Sequence, residues 1–151
     1  MINPLTPQQE AALIAAIRQA EVTTSGEIRV HFEDTCPTPE PLDRAAQIFA
    51  QLNMQATAER NGVLFYVAWE TRQFAIIGDA GINSAVPDDF WETTKEIVLE
   101  NFRTHKFVLG LERGIQMVGE QLQRYFPYNA HTDQNELDDS ISFGDATPPR
   151  I

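Results

Sequence analysis

The chain has 151 residues, 42 % of them hydrophobic, with 11 Lys and Arg against 22 Asp and Glu and a formal net charge of -11. That length lets one domain bury a core without metal or disulfide staples, and the acidity excludes a nucleic-acid binder, which needs basic residues to displace counterions from phosphates. The single Cys36 allows no intrachain disulfide, no basic-then-apolar leader opens the chain, and no apolar run reaches the ~20 residues needed to cross a bilayer, so a soluble, cytoplasmic protein is expected.

Thr6-Pro7-Gln8-Gln9 announces the first helix: Thr6 can accept from the Gln9 amide, Pro7 is preorganised at the first helical position, and Gln9 completes a capping box. Leu13, Ile14, Ile17 and Ala20 supply its apolar face, and the pattern breaks after Glu21. From Glu27 the period becomes two, with Ile28, Val30 and Phe32 alternating with Arg29, His31 and Glu33, which predicts an outer strand with one wet face. A Pro-rich, acidic loop over 34–41 leads to a second helix from about Leu42 to Leu52, whose inward face is Leu42, Ala45, Ala46, Phe49 and Leu52.

Gly62 opens the unbroken apolar run Val63 to Trp69, which suits a strand buried on both faces. Residues 70–73 read as a hairpin turn and Phe74-Ala75-Ile76-Ile77 as the return strand. Pro87 and Asp88-Asp89 are expected to start a third helix, with Phe90, Ile97, Val98 and Phe102 inside. A fourth runs from about Phe107 to Tyr125, where Gly110 and Gly114 allow close packing. Residues 1–127 thus read as one α/β domain and 128–151 as an acidic, mostly flexible tail, in which Ile141-Ser142-Phe143 could dock back.

The first strand, the second helix and the second strand make a βαβ unit, so those strands should be parallel, and the hairpin adds an antiparallel third. This small mixed sheet flanked by about four helices brings three Gly-containing junctions to one end: Ser25-Gly26-Glu27, Arg60-Asn61-Gly62 and Gly78-Asp79-Ala80-Gly81-Ile82. Glycines there let backbone approach a ligand closely. Carboxylates of Glu27 and Asp79, the Asn61 amide oxygen, backbone carbonyls and one of Asp88 or Asp89 would form a hard-oxygen shell suited to Ca²⁺. Mg²⁺ is the alternative and would retain more water, while zinc is disfavoured because His31, His105 and His131 are scattered over the chain. A metal-free reading stands beside this one: Asp79 bonds its own backbone in a turn, Arg60 pairs with Glu27 or Asp79, and Asp88 and Asp89 cap a helix.

Four motifs in this order, Thr24-Ser25-Gly26-Glu27-Ile28-Arg29-Val30, Arg60-Asn61-Gly62-Val63-Leu64, Gly78-Asp79-Ala80-Gly81-Ile82 and Val86-Pro87-Asp88-Asp89-Phe90-Trp91, resemble the TPM-domain family. The resemblance covers residues 7 to 125, and the segment 135–144 is similar to the tail of small soluble bacterial members. It implies a three-layer α/β/α sandwich, Ca²⁺ binding and an acid-phosphatase activity.

Two functions follow, and a third reading, in which the pocket binds nothing and the domain acts through its acidic tail, stays open beside them. One is a Ca²⁺-dependent interaction or regulatory module whose cation orders the three junctions for an unidentified protein partner. The other is a metal-assisted phosphomonoesterase in which Arg60 holds the phosphate and Asp79 or Ser25 attacks or activates water, with Gly26, Gly78 and Gly81 lining the pocket. Ser25 has no general base within sequence reach, which favours the binding module.

Overall fold

In the computed structural model, which describes residues 3–128 and 141–144, the first helix begins where its capping chemistry demands. Thr6 Oγ1 accepts from the Gln9 amide at 3.1 Å, and Gln9 Oε1 accepts from the Thr6 amide at 2.9 Å. The capping box closes just ahead of Pro7, and α1 runs Pro7–Glu21. The chain then forms β1 (Glu27–Glu33), α2 (Pro41–Gln51), β2 (Gly62–Ala68), β3 (Gln73–Gly78), α3 (Ala80–Ala85), α4 (Phe90–Arg103), α5 (Phe107–Tyr125) and β4 (Ile141–Phe143).

The strands make one mixed sheet in the order β3-β2-β1-β4. β1 lies parallel to β2 with Glu27 opposite Gly62, and β3 returns antiparallel with Gly78 opposite Val63. Both the βαβ unit and the hairpin expected from the sequence are therefore present. Period-two alternation then divides the core between two faces. Val63, Phe65 and Val67 of β2 join Ile28, Val30 and Phe32 of β1 against α1, α4 and α5. Leu64, Tyr66 and Ala68 face the other way, with Ala45, Ile48 and Phe49 of α2. The result is an α/β/α sandwich whose central strand β2 is buried along its whole length. Burying a side chain such as Phe65 or Leu111 contributes roughly 1.5–3 kcal/mol, so the helical layer that holds most of the core carries most of the stability. Its close packing depends on Gly114, where a Cβ would lie 2.8 Å from both the Phe65 ring and Val98.

Four expectations need correction. β1 is an interior strand, because β4 pairs with its free edge, Ile141 opposite Val30. Its polar face is not wet: Glu27, His31 and Glu33 are all buried, on the side covered by α2. The inward face of α2 is Ala45, Ile48 and Phe49, whereas Leu42 in the first turn is exposed, as is Ala46. A fifth helix, α3, starts directly at Asp79 where a loop was expected, and residues 87–89 form a turn before α4 begins at Phe90. The docking allowed for Ile141-Ser142-Phe143 takes the form of a sheet strand, while the flexibility expected for the rest of 129–151 falls outside the described residues.

Candidate functional site

The three junctions meet at one end of the sheet, held by backbone. The Glu27 amide donates to the Asn61 carbonyl at 3.4 Å, the Asp79 amide to the Gly62 carbonyl at 2.9 Å, and the Gly81 amide to the Arg60 carbonyl at 2.8 Å. The first junction is tied to the end of α5 as well. Thr24 Oγ1 accepts from the Gly26 amide at 3.0 Å and donates towards the Leu122 carbonyl, also at 3.0 Å, and towards that of Phe126. One hydroxyl thus shapes the turn and adds a second bond to carbonyls at the end of α5, which already accept from the Phe126 and Ser25 amides.

Arg60 and Asp79 form a two-pronged ion pair, Nε to Oδ2 at 2.6 Å and a terminal nitrogen to Oδ1 at 2.7 Å. The carboxylate holds the guanidinium pKa above its ordinary value, first through these hydrogen bonds and then through its charge. Asp79 Oδ1 also accepts from the Ala80 amide at 2.7 Å, which makes Asp79 the N-cap of α3. Of the pairings left open by the sequence, the one realised is Arg60 with Asp79. Asn61 is 1 % exposed; its Nδ2 donates to Ser25 Oγ at 3.1 Å, while its Oδ1 is buried without a partner among the described residues. Glu27 is buried at the start of β1.

Asp88 and Asp89 do not join this group. Both are exposed in the turn before α4, and Asp89 occupies its N-cap position without a side-chain cap bond. Among the described residues no three His, Cys, Asp or Glu side chains stand close enough to share a metal ion. The space beside the glycines is also taken by protein. A Cβ at Gly26 would meet the Leu122 side chain at 2.6 Å, and one at Gly78 the Trp91 ring at 2.4 Å. These glycines bring elements together, which is a packing role and not the open approach to a ligand expected from the sequence.

A second polar cluster lies beneath α2, at the other end of β1. Arg44 bonds both oxygens of Glu33, Nε to Oε2 at 2.8 Å and a terminal nitrogen to Oε1 at 2.7 Å, and the Tyr66 hydroxyl donates to the same Oε2. Burial, then the neighbouring carboxylate, raises the Tyr66 pKa, so this hydroxyl stays protonated. His31 Nδ1 lies 2.6 Å from Ser142 Oγ, so the ring fastens β4 to the sheet. Alternation along β1 was the available signal for these residues; what it could not show was the helix that covers them.

Burial lowers the His31 pKa from 6.5 to about 4, against an opposing pull from Glu33. With the folded value below the unfolded one, the unfolded chain takes up the proton first as pH falls. The stability tied to neutral His31 should therefore be intact above about pH 6.5 and be lost towards pH 4, about 3 kcal/mol in all. Urea midpoints measured from pH 7 to pH 4 should fall more steeply for the wild type than for His31→Leu; equal slopes would assign the acid sensitivity to other groups.

The fold and the joined motifs agree with the comparisons to known proteins. The family model of the TPM domain matches residues 3–121. The chain belongs to the TPM-domain family. Among solved structures it is similar to the BA42 protein from the psychrophilic bacterium Bizionia argentinensis, at 44 % identity and a TM-score of 0.86, covering 95 % of this chain and 98 % of that one. The N-terminal domain of the cg2496 protein from Corynebacterium glutamicum shares the fold at 17 % identity and a TM-score of 0.62, covering 79 % of this chain and 74 % of that one. The N-terminal domain of a protein from P. gingivalis does so at 20 % and 0.60, covering 83 % and 82 %. None of the curated proteins matches the chain. No helix among the described residues is long and apolar enough to cross a membrane.

Proposed function

We propose that this TPM domain is a Ca²⁺-binding interaction module whose cation sits where the three junctions meet. The observation that carries the reading is Asn61 Oδ1, a buried acceptor with no donor among the described residues, at the sheet end that also holds the Glu27 and Asp79 carboxylates. A buried acceptor left without a partner costs about 1–3 kcal/mol, and a cation would remove that cost. The donors fit a hard cation in kind, being carboxylate and amide oxygens. They are too few to enclose one, so backbone carbonyls and water would complete the six to eight oxygens Ca²⁺ takes. Mg²⁺ would suit the same donors with more water retained. Asp88 and Asp89, out in their turn, are better placed as rim charges that draw a cation in than as ligands.

Bound metal would stiffen the loops at this end of the sheet and so present one shape to a partner protein. Phosphomonoester hydrolysis has less in its favour, because the Arg60 guanidinium is engaged by Asp79 and Ser25 Oγ accepts from Asn61. A ligand bound only by the folded state raises the melting temperature by mass action. Millimolar Ca²⁺ should therefore raise the melting temperature of EDTA-stripped protein by several degrees, and no rise would remove the proposal.

A further inference from the structure

The side chain nearest to doing a cation's work at this site is already present. Arg60 neutralises Asp79 through two parallel bonds, and the Ala80 amide takes a further position on Oδ1. A carboxylate offers about four lone-pair sites, so three are occupied before a metal arrives. The two partners are held very differently. The Asp79 side chain is 6 % exposed, its amide is bonded to the Gly62 carbonyl, and it caps α3. The Arg60 side chain is 53 % exposed, and its backbone is fixed separately, by the bond from the Gly81 amide to the Arg60 carbonyl. The guanidinium can swing into water without moving any backbone; the carboxylate has nowhere to go.

We infer that Arg60 is a built-in competitor for the cation, displaced from Asp79 when the metal binds and returning when it leaves; this rests on the cation reading above. A metal that must first break the pair binds with an affinity reduced by the small fraction of molecules in which Asp79 is free. The same step selects for charge. A divalent ion gains enough from a carboxylate to replace a guanidinium, whereas a monovalent ion meets a site already neutralised.

The experiment is a calorimetric Ca²⁺ titration of wild type, Arg60→Gln and Arg60→Lys at fixed ionic strength. Arg60→Gln should bind about tenfold more tightly than wild type, within the usual range of such couplings. Arg60→Lys, which keeps the charge but loses the fork, should fall between. The wild-type protein gives a reading that needs no variant to fold. Its Arg60 Nε–H proton resonance, sheltered by the bond to Asp79, should broaden into solvent exchange as Ca²⁺ is added. Equal or weaker binding by a folded Arg60→Gln, or an Arg60 resonance unchanged at saturating Ca²⁺, overturns the inference and leaves the cation reading intact. Absence of binding in all three proteins overturns both.

Discussion

Replacing Arg44 with Ala should destabilise the protein by about 3–5 kcal/mol, as much as truncating a buried core aromatic. The guanidinium and the Glu33 carboxylate are 11 % and 9 % exposed, and their bidentate bond joins α2 to the end of β1. Without Arg44 the carboxylate would remain buried with the Tyr66 hydroxyl as its remaining described donor. The cost arises from the charge left behind more than from the bond lost. Removing both partners, as Glu33→Leu with Arg44→Leu, should therefore cost less than Arg44→Ala alone. Urea unfolding of the two variants separates the cases. A loss below about 1 kcal/mol for Arg44→Ala, the range of an exposed pair, would show that water reaches Glu33 freely.

Gly81→Ala should cost about 3 kcal/mol, the upper end for overpacking, because the obstacle is backbone. A Cβ there would lie 2.1 Å from the Glu59 carbonyl oxygen and 2.7 Å from that of Arg60. Neither carbonyl can yield alone, since the Arg60 carbonyl is also the acceptor for the Gly81 amide, and Arg60 itself sits at a φ of 53°. A left-handed conformation in a non-glycine residue persists only where its surroundings impose it. Pushing the segments apart should release both the turn and the Arg60–Asp79 pair. Gly26→Ala is the control, because its clash is with the Leu122 side chain and not with backbone, and should cost about 1 kcal/mol, the lower end for overpacking. Equal losses in the two variants, measured by thermal melting, would mean that the Glu59–Arg60 turn is itself soft.

Much of the fold was legible in local chemistry. Thr6, Pro7 and Gln9 carried the start of α1, the run from Val63 identified the buried strand, and the hairpin brought Gly78 beside Val63. These signals are short-range, and tertiary contacts only reinforce them. What was misread depends on contacts distant in sequence. The alternation of Arg29, His31 and Glu33 is real, but whether that face meets water is decided by α2, and the interior position of β1 by Ile141, more than a hundred residues away. α3 escaped notice because six residues containing a glycine carry too little periodicity to announce a helix, and the cue was Asp79 acting as its N-cap. At the site, topology correctly gathered the three junctions, yet the partner of Asp79 stayed open among several. Only the paired geometry of Arg60 settles it, and that depends on the turn from Thr57 through Gly62.

The most direct measurement is a calorimetric titration of Ca²⁺ into EDTA-stripped protein beside the double variant Glu27→Gln/Asp79→Asn. Saturable binding by the wild type, lost in a folded variant, is the expected result. Heats of dilution alone from both proteins would contradict a cation site, and would leave the Arg60–Asp79 pair as a fixture that holds three turns to one sheet.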